Sequence, residues 1–295
     1  MRILITIAHF FNPSNGEQYG SQRKPQPRIQ ALTQCITNIH QLFGNQCIID
    51  IAQRLAIPAN LSQSHDVDIV ICTTQDCHLL EQIHLPSVFY KHYPTKAEPM
   101  LLGFECQAVL KECLDKYDYY CFLEDDLILH DPWFFIKLAW FTDLSGDLNL
   151  LQPNRYEVSI SNIVRKAYID GNLAPRITAK FQNVQEQPEL LGKIMNTSVV
   201  FRRALNPHSG CYFLNTRQMQ HWVKQPYFLN RDTSFIGPLE SAATLGIMQT
   251  FKIYKPAFTH ASFLEIQHFG TAFLSLIGNQ VQLSHSNNYT NIVTN

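Results

Sequence analysis

Glu124, Asp125 and Asp126 stand in a row behind Tyr119–Leu123, an aromatic and apolar run that reads as a buried strand. Neighbouring carboxylates repel one another, and each costs several kcal/mol to bury unless a cation or hydrogen-bond donors compensate it. A divalent cation with hard oxygen ligands, its shell completed by substrate phosphates, is the chemistry an acid triplet at the carboxyl end of a core strand can do. Acids in loops also serve as helix caps. Here Asp131 takes that job, because Asp131-Pro132 followed by Trp133-Phe134-Phe135-Ile136 reads as a helix start with Pro at its first position. The triplet is left free for a ligand.

The chain around the triplet is 295 residues long, enough for one large or two small domains with a substantial core. It is 45% hydrophobic and 16% charged, as a globular protein with large buried elements would be. The net charge of −1 supplies no general basic field, which argues against a nucleic-acid partner. Eight cysteines include no CxxC pair and lie mostly in helix- or strand-like runs. They read as reduced, buried small residues of an intracellular protein rather than a disulfide framework or a zinc site. The first ten residues are too short and too interrupted for a signal sequence, and no run is long enough to span a membrane. A cytoplasmic protein is expected, free or resting on a membrane surface.

Positioning elements follow from periodicity. Residues 2–8 read as a first strand that ends beside His9, Phe10 and Phe11, and residues 12–27 as a long polar binding loop. The apolar spacing of Ile29, Leu32, Ile36, Ile39 and Phe43 predicts a helix over 28–43. Residues 46–52 and 67–73 read as the next strands, 86–90 as a short strand and 99–116 as a helix. Strands alternating with helices imply an α/β fold, a mostly parallel doubly wound sheet that binds ligands at the carboxyl ends of its strands. Beyond the triplet, helices are expected at 133–141, 216–223, 239–248 and 262–277, and strands at 194–203 and 250–254. The spacing leaves 148–164 extended, 170–192 as a polar flap, and a frayed tail at 281–295. No repeat or linker marks an internal boundary, so one domain is expected, with residues 1–130 and 131–280 as its halves.

Phe122-Leu123-Glu124-Asp125-Asp126-Leu127, followed closely by Phe134-Phe135, resembles the metal-binding segment of GT-A fold glycosyltransferases. In this window it is similar to the N-acetylglucosaminyltransferases that initiate hybrid N-glycans. The resemblance implies a Rossmann-like nucleotide-sugar-binding half and a mixed acceptor-side half. It implies hexosyl or N-acetylhexosaminyl transfer from a UDP- or GDP-sugar to a glycan, lipid or protein, with Mn²⁺ or Mg²⁺ as cofactor. Asp126 would ligate the metal, and Glu124 and Asp125 would face the ribose or the donor sugar. A carboxylate early in a later helix would act as base; Glu240, just behind Gly237-Pro238, fits, with Asp232 as competitor. A late histidine would complete the metal site, His260 ahead of His268. The turn Ser209-Gly210-Cys211 would line the acceptor side, with Gly210 allowing a sugar to approach.

Arginine is suited to phosphate, so Arg28, with Arg23 or Lys24, is a candidate for the diphosphate or base, and Arg155 for donor or acceptor sugar. Each of these residues also has an ordinary reading: solvated loop cations, a first-turn glutamate, structural histidines. Two other functions remain open. A sugar-nucleotide nucleotidyltransferase would carry a compact Gly-rich phosphate loop, which Asn12–Gly20 lacks. A calcium- or carbohydrate-binding module would need no donor at all, but the triplet lacks the alternating acids of an EF-hand loop.

Overall fold

The computed structural model describes residues 1–13 and 24–283, which form a mixed α/β structure. Its centre is a five-stranded sheet in the order β13 (Cys211–Asn215), β6 (Tyr119–Glu124), β1 (Arg2–Ala8), β4 (Asp66–Thr74), β5 (Lys91–Thr95). β6, β1, β4 and β5 run parallel, and β13 is antiparallel to β6. The chain moves outward from β1 through β4 to β5, then returns to add β6 on the other side of β1. That reversal makes the carboxyl ends of β1 and β6 a topological switch point, where open α/β sheets form a crevice.

Strand alternation builds one core on each face of the sheet. Ile3, Ile5 and Ile7 of β1 meet Leu32, Ile36 and Ile39 of helix α1 (Gln26–Phe43), and Phe134, Phe135 and Leu138 of helix α3 (Phe134–Ser145) extend the same layer. Leu4 and Ala8 face the other way, toward Leu102, Cys106 and Leu110 of helix α2 (Leu102–Glu112) and toward Trp222. Each such aliphatic side chain contributes about 1.5–3 kcal/mol by its burial. α1 therefore has a fixed seat along the sheet, and its first turn is carried to the switch point.

Two further four-stranded sheets cover the second half. One is ordered β10 (Lys166–Tyr168), β9 (Asn154–Val158), β15 (Glu265–His268), β7 (Leu127–Ile128). The other is ordered β11 (Glu189–Ile194), β12 (Thr197–Arg203), β14 (Lys252–Pro256), β8 (Asn149–Leu151). β7 starts right behind the triplet, so the Asp125-Asp126 turn joins the central sheet to the first of these.

Several expectations need correction. Residues 46–52 add no strand to the parallel sheet: β2 (Gln46–Asp50) pairs only with β3 (Leu55–Ala59), and the pair forms a separate ribbon. Residues 86–90 carry a 3-10 turn at Ser87–Phe89, because Pro86 starts a turn, and the strand follows at Lys91. The 262–277 helix is not formed. Leu264, just before β15, and Ile266 within it alternate inward, and Gly270, at φ +102°, turns the chain before a 3-10 turn at Leu274–Leu276. The expected flap holds a short helix, Pro175–Thr178, and most of β11. All eight cysteines are free, but Cys47 is exposed rather than buried, and Cys77 and Cys113 are half-buried. Among the described residues no helix is long and apolar enough to cross a membrane. Most of the expected binding loop and of the tail, residues 14–23 and 284–295, lies outside the described residues.

α2 sits against the segment 241–245 through Gly103, where a Cβ would lie 2.5 Å from the Cβ of Ala242. Ala is the better helix former by up to about 1 kcal/mol, but overpacking a close seam costs roughly 1–3 kcal/mol. Gly103→Ala is therefore expected to lower the thermal midpoint by a few degrees in calorimetry, and an unchanged or raised midpoint would refute the contact.

Candidate functional site

Each acid of the triplet has its own set of partners. Asp125 is the most deeply buried. His9, the residue behind β1, holds its Oδ2 at 2.5 Å through Nδ1, and Arg28 Nη2 lies 2.8 Å from Oδ1. The backbone N–H of Leu79 donates to His9 Nε2 at 3.0 Å. An imidazole nitrogen that accepts carries no proton, so the proton of neutral His9 sits on Nδ1 and points at Asp125. Burial pushes the Asp125 carboxyl up, yet Arg28 and the His9 hydrogen bond outweigh it and hold the group below its ordinary value.

Arg28 also reaches Asp126, with Nη1 3.2 Å from Oδ2. It lies in the first turn of α1, where the helix dipole disfavours a cation. The acids explain why a cation stands there: burial lowers the affinity of Arg28 for its proton, but Asp125, Asp126 and Glu124 together raise it. On the other side of Asp126, His268 Nε2 lies 3.7 Å from Oδ2. β15 puts it there, since His268 pairs with Leu127 and the N–H of Phe269 donates to the Asp126 carbonyl. His268 Nδ1 donates to Glu157 Oε1 at 2.9 Å, and Glu157 Oε2 accepts from the N–H groups of Phe273 and Leu274. Burial lowers the imidazole's proton affinity, but Glu157 and Asp126 win and raise it. The remaining oxygen, Asp126 Oδ1, is buried and has no hydrogen-bond partner among the described residues. The triplet's crevice opens here, in a cleft of about 450 Å³ whose lining includes Arg28, Asp126, His268, Gly270 and Thr271.

Glu124 faces the second half. Arg155 Nη1 and His208 Nε2 each lie 3.8 Å from its carboxylate, longer than a hydrogen bond. Burial pushes its pKa up to about 7; Arg155 and His268 oppose the shift, while Asp126 and Glu240 add to it. Glu124 is thus the least compensated acid of the three. Gly210, at φ +63°, packs against it: a Cβ there would lie 2.6 Å from Glu124 Oε2. Gly210 thus permits a close approach to Glu124.

Arg155 is anchored from behind. Its Nε and Nη2 each lie 2.9 Å from Asp170 Oδ1, and its backbone N–H donates to Asp170 Oδ2. Lys255 Nζ, also buried, donates to Asp170 Oδ2 at 2.9 Å and to the carbonyl of His208. Burial would raise the Asp170 carboxyl, but Lys255 and Arg155 outweigh it and bring it down to about 2.

The structure brings together Glu124, Asp125, Asp126, Arg28 and Arg155, and adds Glu240 through its charge on Glu124. The His260 ring shares a hydrogen bond with Thr259 Oγ1. Asp232 closes its own turn by accepting from the N–H of Ser234. Asp131 accepts from the N–H of Trp133 and pairs with Lys137 in the turn before α3, but it is not the expected helix cap: α3 starts at Phe134, its cap position is Trp133, and no side chain caps it. Arg23 lies outside the described residues. Sequence reading missed Glu157, Asp170, His208 and Lys255. A signal existed for two of them: Lys255 shares the inward register with Ile253, and Glu157 shares it with Arg155.

The residues present fit a small hard cation. Asp126 offers an orphaned buried oxygen, and His268 is oriented through its far nitrogen by a carboxylate, as metal-bound imidazoles are. Among the described residues no group of three or more His, Cys, Asp or Glu could hold a metal by itself. Asp126 and His268 would therefore hold an ion with substrate oxygens and water completing its shell, the habit of Mg²⁺.

No protein-family model matches the chain, and no curated protein sequence matches it. Solved structures do match. One is the crystal structure of S. aureus TarS, a glycosyltransferase, at 11% identity and a TM-score of 0.44, covering 92% of this chain and 37% of that one. This chain thus spans little more than a third of TarS, and a likeness that shallow assigns neither activity nor substrate.

Asp170 bridges two buried cations, Arg155 and Lys255, so Asp170→Asn is expected to cost about 3–5 kcal/mol of unfolding free energy. The folded pKa of Asp170 is depressed, so its contribution is present above the unfolded value of 3.8 and is lost as pH falls toward 2. Denaturant titrations across that window should show the gap between wild type and variant shrinking as pH falls. A gap that does not change with pH would contradict the ion pairs.

Proposed function

We propose that the chain is a metal-dependent glycosyltransferase of the GT-A type. It would move a sugar from a UDP- or GDP-sugar to a hydroxyl of a glycan, lipid or protein acceptor, within one catalytic domain. The observation that carries this reading is the orphaned Asp126 oxygen, buried at the mouth of the switch-point crevice and flanked by Arg28 and His268. An acid that keeps one oxygen unspent beside two basic groups is suited to a ligand that brings both a cation and anionic oxygens.

In the reaction the bond from the sugar's anomeric carbon to the diphosphate breaks, and the acceptor oxygen takes its place. Mn²⁺ or Mg²⁺ bound at Asp126 and His268 supplies Lewis-acid neutralisation of the charge that builds on the leaving diphosphate. His268, not His260, is the proposed ligand because it lies beside Asp126 and is backed by Glu157. Arg28 adds a fixed positive charge at the diphosphate end and keeps Asp125 ionised. Asp125, locked by His9, accepts from the ribose, and Glu124 and Arg155 meet the donor sugar. Glu240 takes the acceptor proton; its nearness to Glu124 favours it over Asp232, which is spent on its own turn.

Isothermal titration of UDP and GDP with and without Mn²⁺ tests the reading. One of the two nucleotides is expected to bind in the presence of metal, and Asp126→Asn is expected to weaken that binding by more than about tenfold. If neither nucleotide binds with metal, or if the variant binds as wild type does, the proposal fails.

A further inference from the structure

The ribbon of β2 and β3 has no counterpart in the sheets around it. Among the described residues it hydrogen-bonds to no other strand. Its base is tied down by Gln46 Nε2, which donates to the carbonyls of Gln41 and Leu42, and by Asn60 Nδ2, which bonds Gln46 Oε1. From there it projects. Ile48 is 63% exposed and pairs with Ile57 on one face; Ile49, 77% exposed, pairs with Ala56 on the other. Ile51, Leu55 and Leu61 are exposed around them. A two-stranded ribbon is marginal in water by itself, and a contiguous apolar surface marks an interaction site.

The two edges of the ribbon differ. Pro58 lies on β3 opposite Cys47. Proline has no N–H, and within a strand it is tolerated where its nitrogen faces away from the partner strand. The outer edge of β3 is therefore short of a donor and poorly suited to another strand. β2, Gln-Cys-Ile-Ile-Asp, contains no proline and keeps a complete outer edge.

We infer that β2 is a self-association edge: two copies of this chain pair β2 against β2 about a two-fold axis, giving a continuous four-stranded antiparallel sheet. Charge constrains the register. Centred on Ile48, the pairing sets Ile48 against Ile48, Cys47 against Ile49, and Gln46 against Asp50, and no like charges meet. Centred on Asp50, it would oppose two carboxylates, which is destabilising. Charge also argues against a lipid occupant. Asp50 and Arg54 are the ribbon's charged residues and they cancel, so nothing attracts it to anionic headgroups. The interface leaves the candidate site clear, because the 18 residues of α1, at ~1.5 Å each, put roughly 27 Å between its first turn and the ribbon's base. The inference holds whatever the site turns over.

Sedimentation velocity over a wide concentration range tests it. Wild type is expected to be a dimer that dissociates on dilution. The double variant Ile48→Lys, Ile49→Lys is expected to be monomeric with an unchanged thermal transition, since both side chains already face solvent and edge lysines block pairing. A short bismaleimide should cross-link wild type through exposed Cys47 and fail to cross-link Cys47→Ser. A wild type monomeric at every concentration, or a dimer that persists in the double variant, overturns the inference. So does a monomer that floats with phosphatidylcholine vesicles, which would assign the ribbon to lipid.

Discussion

Three consecutive carboxylates at the end of a buried strand are a constraint that the rest of this molecule serves. Their mutual repulsion in a low-dielectric site would raise all three pKa values and favour the neutral forms. The protein instead deals with each acid differently. Asp125 receives a fixed hydrogen bond from His9 and a cation from Arg28. Asp126 receives a shared cation on one oxygen and, among the described residues, no hydrogen bond on the other. Glu124 has its cation and imidazole at arm's length, and burial raises its pKa to about 7. One strand end thereby carries a locked carboxylate, a half-free one and one poised near neutrality, and that inequality gives the site chemical possibilities that three equivalent acids would lack.

The fold follows from the need to bring these partners in from distant parts of the chain. His9 arrives on β1 and Arg28 on α1, both set by the parallel sheet and its apolar layer. His268 arrives on β15, fixed in register by β7, which itself springs from the triplet. Arg155 arrives on β9 and is held by Asp170 and Lys255. The switch point makes the crevice, and the second and third sheets close one side of it with charge rather than with apolar surface.

Much of this was legible in the residues. The 3.6-residue spacing of α1 and the apolar run before the triplet belong to strong periodic signals with caps or breakers at their ends, and the sheet end beside His9 followed from them. β15 was not legible. Its run from Phe263 to His268 is short, apolar on most positions and preceded by small residues, so helix and strand patterns fit it equally, and only its two neighbours decide the matter. His260 was placed ahead of His268 because it follows the strand-like run 250–254, and nothing in the local pattern shows that β15 carries His268 to Asp126. The ribbon failed for a related reason: β-branched residues fit any strand, and nothing local reveals that its strands pair only with each other. Asp170 was hidden in a polar stretch, since its role depends on Arg155 and Lys255, 15 and 85 residues away.

The central claim is that Asp126 keeps an oxygen in reserve for a divalent cation, while Arg28 and His9 hold Asp125. An anomalous difference map at the manganese edge, from crystals grown with Mn²⁺ and UDP or GDP, measures this directly. The account predicts a peak on the Asp126 carboxylate beside His268, with Arg28 and His9 still on Asp125. A map with no peak at Asp126, or with its only strong peak at other residues, would contradict it.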